Sequence, residues 1–218
     1  MLNTLTSLGY VTRVPNSRRF RLTLKVADLG LNAIGRTDLR EFVRPVLRSL
    51  VGDINEAASL GVLDGGDILY IERVRAGVTR LGVDIRIGTT MPVGCSAIGE
   101  AMLAFLPKAQ MQRALKTPPR ADRLPALTRT RKEIERALSD TRRHGYAMHD
   151  SYLQNGIRIL ACPVLDTDKY PVAAISVSAP AVRLGAAQFR QKALLPLQNA
   201  AAEIARIFQA TGTFVANN

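Results

Sequence analysis

Apolar residues along this chain keep a helical spacing at the start, alternate through the middle, and return to helical spacing at the end. Leu2, Leu5 and Leu8 stand three apart and Gly9 follows, the pattern of a short helix and its stop. Tyr10 to Arg13 and Arg19 to Leu22 read as two short strands, with Pro15-Asn16-Ser17 supplying the turn. A helix end, a glycine, a strand, a basic turn and a second strand make the latter half of a winged helix. Val26, Leu29, Ala33 and Ile34 resume a helical period, and another helix covers roughly 39–51, where Pro45 belongs near the start or at a kink.

From Glu56 the period becomes two. Ala58–Leu63, the turn Asp64-Gly65-Gly66-Asp67, and Ile68–Val74 predict an antiparallel hairpin, and Arg80–Ile85 alternates as a third strand. Ser96 opens an apolar helical run through Leu106, closed by Pro107, and a further helix follows over 108–116. Thr130 with Glu133 forms a capping box for a helix ending at His144-Gly145. Three more strands, 147–150, 158–165 and 172–178, are expected, the last two joined by a turn over 166–169. A long helix over roughly 188–210 ends the pattern, with Pro196 expected to kink or interrupt it. Strands and helices do not alternate one for one, so the fold class is α+β with an antiparallel sheet flanked by helices. The boundary between the two parts falls near 35–40, at Gly35-Arg36-Thr37-Asp38.

Charge and cysteine content narrow the partners. Lys and Arg outnumber Asp and Glu by 30 to 18, a net charge of +12 that favours polyanions such as nucleic acid. Residues 1–27 hold Arg13, Arg18, Arg19, Arg21 and Lys25 and no acidic residue before Asp28. The two cysteines, Cys95 and Cys162, are too few for a disulfide framework or a zinc cage, which fits a reduced cytoplasm. No run of 18 apolar residues implies a membrane span, and the first residues do not read as a signal peptide.

Three groups of residues carry candidate chemistry. Arg18 and Arg19 at the turn, with Arg13 and Arg21 on its strands, suit a phosphate backbone, or an ordinary basic hairpin. Ser176 and Ser178 stand two apart on an apolar strand, so their hydroxyls share a face; they serve either a polar ligand or only the backbone and solvent. Ser96-Ala97-Ile98-Gly99 sits where a helix begins, offering backbone N–H groups to a carboxylate or merely a cap. Arg158 pairs with a ligand carboxylate or, as its strand parity favours, with Asp150. Cys95 beside His144 or His149 could imitate a thiol nucleophile and its base. Residues 94–99 lack the spacing of a nucleophile elbow and no third orienting group is evident, so no catalytic residue, cofactor or metal site is expected.

The segments LNTLTSLGYVTR, RRFRLTLKVADLG, ASLGVLDGGDILYIERV, GTTMPVGCSAIGEAMLAFLP, RRHGYAMHD, NGIRILACPV and AAISVSAP resemble, in order and spacing, the IclR family of bacterial transcription regulators. The resemblance spans essentially the whole chain and is nearest to the family's regulators of aromatic-acid breakdown. It implies a partial winged helix-turn-helix over 1–25, linker helices over 26–54, and a GAF-like effector domain over 55–218. It also implies a homodimer or homotetramer that binds promoter DNA and answers to a small carboxylate. Family effector positions fall on Ala97, Ile98, His149, Ile159, Ser176 and Ser178; a well-known member has an acid where His149 stands. Asn3 and Thr4 join the four arginines as expected DNA contacts. Set against the family pattern, the sequence opens inside the recognition helix, whose N-terminal residues read bases. The alternative expectation is therefore a metabolite-binding oligomer without productive DNA binding.

Overall fold

The computed structural model describes residues 1–15, 17–26, 29, 39–77, 85–120, 130–150 and 156–211. Within it the chain divides into two compact units, Met1–Leu39 and Arg40–Asn218. All but the last residue of the strand expected over 80–85, most of the helix expected from Val26 to Ile34, and the loop over 121–129 lie outside the described residues.

In the smaller unit, helix α1 (Leu2–Ser7) is followed by strands β1 (Val11–Arg13) and β2 (Phe20–Leu22), paired antiparallel. Gly9 takes φ +75°, a left-handed turn that glycine adopts without steric cost. The open carbonyls after α1 are capped from β2's far end. Thr23 Oγ1 donates to the Gly9 carbonyl at 2.6 Å and Lys25 Nζ to that of Leu8 at 2.9 Å. The Lys25 ammonium also lies 5.0 Å from the centre of the Tyr10 ring, a cation–π distance.

The larger unit is built on a six-stranded antiparallel sheet in the order β5-β4-β3-β8-β7-β6. Its strands are β3 (Ala57–Asp64), β4 (Asp67–Val74), β5 (Thr90–Pro92), β6 (Ala147–Asp150), β7 (Ile157–Leu165) and β8 (Pro171–Pro180). Helices α2 (Leu39–Ile54), α3 (Ala97–Leu103), α4 (Lys108–Lys116), α5 (Arg131–His144) and α6 (Ala186–Thr211) surround it. The central strand β8 reads PVAAISVSAP and is buried along nine of its ten residues. A strand covered on both faces must be apolar or small at both parities, and this one is.

The sheet has two differently made faces. Leu63, Ile68, Tyr70, Ala147, Ala161 and Ala174 pack against Ala97, Ile98, Ala101 and Met102 of α3. Leu60, Leu160, Cys162, Ile175 and Val177, of opposite parity, are also buried, and α6 packs on β7 and β8. Phe189, Ala193, Leu197, Ala201, Ile204 and Phe208 recur at three- and four-residue steps as the buried stripe of α6. α2 runs through Pro45 and α6 through Pro196 as continuous helices, so Pro196 does not interrupt its helix. The capping box at Thr130 and Glu133 is present, and Gly145 closes α5 at φ +79°.

Two glycines set how closely α3 approaches. A Cβ on Gly61 of β3 would lie 2.7 Å from Ile68 Cγ2 and 3.1 Å from Ile98 Cγ2. On Gly99 it would stand 1.9 Å from the Val93 carbonyl oxygen, a contact that backbone must move to relieve. Gly99→Ala is therefore expected to destabilise the larger unit by about 1–3 kcal/mol through overpacking. Thermal unfolding should show a drop of roughly 3–10 °C for a domain of this size; an unchanged midpoint would show that α3 is free to shift.

Candidate functional site

Antiparallel pairing places residues directly opposite one another on the same face, so the register of five strands defines the composition of the α3-facing surface. One row across it runs Arg73, Ser59, Ser176, Ala161, Ala147 from β4 to β6. The next runs Ala57, Ser178, Ile159, His149. Four of the six residues expected around a ligand therefore share one surface. The other two, Ala97 and Ile98, begin the helix that packs on it, and both are about 1% exposed. Ile98 rests on Gly61 of β3.

Burial distinguishes this surface from a solvated one. Ser176 and Ser178 are 6% and 8% exposed, and Ser59 is 1% exposed. The Ser178 hydroxyl has no hydrogen-bond partner among the described residues. A buried hydroxyl without a partner costs about 1–3 kcal/mol, so natural structures rarely leave one without a reason. Ser96, by contrast, is engaged within its own helix, where its side chain accepts from the Gly99 N–H at 2.8 Å and caps α3. The half-buried His149 lies at the open end of the row on the edge strand, its Nδ1 3.2 Å from the Asp150 carbonyl oxygen.

Arg158, of the opposite parity to Ile159, turns away from the row. Its Nε and Nη2 meet the two Asp150 carboxylate oxygens at 2.7 and 3.1 Å, and Nη1 donates to the Leu184 carbonyl at 2.9 Å. Arg158 thus holds the β6–β7 edge to the segment preceding α6. Glu56 and Arg183 form a second such tie, a pair in which burial pushes the Glu56 carboxyl up against the pull of the Arg183 guanidinium.

Two residues on this surface escaped the sequence reading. Arg73 Nη1 donates to Ser59 Oγ at 2.7 Å. A hairpin continued from the Asp64–Asp67 turn in simple register would set Ser59 opposite Glu72. A bulge between Leu60 and Gly61 shifts the pairing by one, so Arg73 takes that place and Glu72 turns to the other face. There Glu72 meets Arg40 Nε of α2 at 3.2 Å. No composition signal announces such a bulge; only the serine two residues before Gly61 hinted at a polar row.

The smaller unit presents its expected contacts to solvent: Asn3, Thr4, Arg13, Arg18, Arg19 and Arg21 are all exposed. Arg13 pairs across from Phe20 and Arg21 from Thr12, which puts the two strand arginines on opposite faces of the ribbon. Arg18 and Arg19 sit at its turn, where Ser17 Oγ accepts from the Arg19 N–H at 3.0 Å. Surface hollows lie at this turn, between Arg13, Pro15 and Arg18, and between α2 and α6 beside Val46, Leu50 and Leu195. Neither touches the serine row.

Cys95 and Cys162 are both buried, and burial pushes the Cys162 thiol up to about 12. No cluster of three metal-ligating side chains occurs among the described residues, nor a helix long and apolar enough to cross a membrane.

The comparisons with known proteins agree on one family. Residues 31–206 match the description "Bacterial transcriptional regulator IclR C-terminal". The HTH-type transcriptional regulator XynR of Escherichia coli is 30% identical over 178 residues, which is 82% of this chain and 70% of that protein. A transcriptional regulator of Rhodococcus sp. RHA1 superposes with a TM-score of 0.77 at 31% identity, covering 96% of this chain and 82% of the other. An IclR homologue of Microbacterium hydrocarbonoxydans, solved with 4-hydroxybenzoate, shares the fold with a TM-score of 0.72 at 22% identity, over 96% of this chain and 83% of its own.

Two outcomes check the site's geometry. Arg158→Gln should lower the unfolding midpoint by a few degrees, since its Asp150 partner is 57% exposed and such pairs contribute at most about 1 kcal/mol, yet leave ligand affinity intact. A thiol reagent at pH 8 should leave Cys162 unmodified in the native protein and modify it after denaturation, because the thiolate is the reacting form. Rapid native labelling of Cys162 would contradict its placement.

Proposed function

The chain belongs to the IclR family of bacterial transcriptional regulators, and from that premise we propose that it senses a small organic acid on the α3-facing side of its sheet and binds promoter DNA through the basic ribbon. The observation that carries the sensing half is the buried, unpartnered Ser178 hydroxyl on the α3-facing side of the sheet. A ligand oxygen brought there would satisfy it, and the surrounding Ala97, Ile98, Ile159, Ser176 and His149 would line the rest. Apolar walls with a few polar groups suit an acid with an aromatic body. That a relative of the same fold was solved with 4-hydroxybenzoate supports an aromatic acid here.

Asn3, Thr4, Arg13, Arg18, Arg19 and Arg21 would contact DNA, the guanidinium forks at the turn pairing with phosphates. The regulator works as a homodimer or homotetramer in the cytoplasm, where its DNA is. Bound acid favours one arrangement of the assembly over another and so changes the spacing of the ribbons. A regulatory and not an enzymatic role is supported by the relatives named above, which are regulators. Being a regulator is favoured over being a bare metabolite-binding oligomer for the same reason.

Thermal unfolding against a panel of aromatic and keto acids tests the sensing half. A ligand at a hundred times its Kd stabilises by about 2.7 kcal/mol, a rise of roughly 5–10 °C. The double variant Ser176→Ala, Ser178→Ala should lose that rise while folding normally; a full rise in the variant would remove the serines from the site. For the DNA half, Arg18→Ala with Arg19→Ala should reduce the salt dependence of duplex binding by about two phosphate contacts. An unchanged slope would place the ribbon off the DNA.

A further inference from the structure

We propose that the hollow at the tip of the β1–β2 ribbon seats the sugar–phosphate backbone of one DNA strand, with Arg13 and Arg18 closing on a single phosphate. This rests on the DNA reading above and deepens it by dividing the ribbon's arginines between separate contacts. The ladder continues one step past the Arg13–Phe20 pair, where the Val14 N–H donates to the Arg19 carbonyl at 3.0 Å. The Ser17 N–H then donates to the Val14 carbonyl at 3.2 Å, and Ser17 Oγ accepts from the Arg19 N–H at 3.0 Å. A turn tied in this way is already ordered before a partner arrives, which lowers the cost of binding. Against it lies a hollow of about 490 Å³ lined by Arg13, Val14, Pro15, Ser17 and Arg18, and by neither Arg19 nor Arg21. Strand parity accounts for the exclusion of Arg21, which pairs with Thr12 on the other face of the ribbon.

Charge and chemistry select an anion. Neither the Arg13 nor the Arg18 guanidinium has a hydrogen-bond or ion-pair partner among the described residues, and no acidic residue precedes Asp28 in the sequence. Each guanidinium presents five N–H donors in a planar fork that phosphate oxygens accept in pairs. Ser17 accepts from the Arg19 N–H and keeps its own hydroxyl proton to donate. Two cations and a hydroxyl on one hollow match the non-bridging oxygens of a phosphodiester. Val14 and Pro15 give the same hollow an apolar wall, which suits the sugar. Its size favours a chain over a lone ion, because sites of roughly 300–1,000 Å³ take organic ligands. Phosphate contacts fix register without reading sequence, so this seat sets the ribbon's place on the duplex and not its choice of bases.

Fluorescence anisotropy of the full chain on a labelled duplex of generic sequence, repeated over a range of salt, tests the assignment. Each duplex phosphate neutralised contributes about 0.9 to the slope of log affinity against log salt. Arg13→Gln and Arg18→Gln should each lower the slope by about 0.9, and together no further, because they release the same phosphate. Arg13→Gln with Arg21→Gln should lower it by about 1.8, the loss of two separate phosphates. All three arginines are exposed, so these variants should keep the wild-type unfolding midpoint. A fall of about 1.8 in the Arg13→Gln, Arg18→Gln pair would overturn the shared seat while leaving the DNA reading intact. An unchanged slope in that pair beside a lowered one in Arg21→Gln would do the same. Inorganic phosphate, titrated alone and followed by the Nε–H resonances of Arg13 and Arg18, should perturb them far less than duplex at equal phosphate concentration. An equal or larger perturbation would assign the hollow to a free ion and overturn the backbone as its occupant. No binding to the duplex at low salt would remove both the seat and the DNA reading.

Discussion

The pairing of β8 with β3 on one side and β7 on the other decides nearly everything else in the larger unit. Because side chains alternate across a strand, fixing these two registers fixes which residues meet on each face, and a slip of one would exchange the faces wholesale. The pairs Ser59 with Ser176 and Ser176 with Ala161 set a polar row among small residues. The same pairing sends Ile175 and Val177 to the opposite side, beside Leu60 and Leu160, into fully apolar packing. One face becomes a core and the other a lined surface, from a single strand whose composition is almost uniformly small and apolar.

The lined face stays narrow because α3 comes close. Gly61 offers no side chain beneath Ile98, and Gly99 lets the first turn of the helix sit against the Val93 carbonyl. Arg142 then grips the far end of α3 through the carbonyls of Ala104 and Leu106, while Thr141 holds Glu100 at 3.0 Å. The helix is thus seated by missing methyl groups at its start and by charge-assisted hydrogen bonds at its end. A short helix contributes little stability alone, so these tertiary contacts keep it in place.

Charge is distributed by the same geometry. A net charge of +12 implies a polyanionic partner only where basic groups stand exposed, and the arginines of the β1–β2 ribbon do. Some other basic groups are engaged within the fold: Lys25 caps α1, Arg158 ties down Asp150, and Arg183 accompanies a buried Glu56. Counting arginines overstates the surface available to nucleic acid, because several of them hold loops to the sheet.

Local chemistry was enough to read most of the elements from sequence. The Asp64–Asp67 turn, the Thr130–Glu133 capping box and the Gly9 and Gly145 stops are short-range devices, and each stands where its residues implied. Alternation along β8 put Ser176 and Ser178 on one face, and the opposite parity of Arg158 and Ile159 predicted the Asp150 pair. The prolines end neither helix, because a missing N–H weakens a helix without ending it when an apolar stripe on either side stays packed: Leu47 and Leu50 beyond Pro45, Leu197 and Ala200 beyond Pro196. What sequence could not determine is which charge joins the serine row. Simple register sets Glu72 opposite Ser59, and one extra residue in β4 replaces it with Arg73. A bulge is selected by packing on both faces of the finished sheet, here by Glu72 finding Arg40 below and Arg73 finding Ser59 above. The sign of the charge beside Ser59 is therefore a property of the tertiary structure alone.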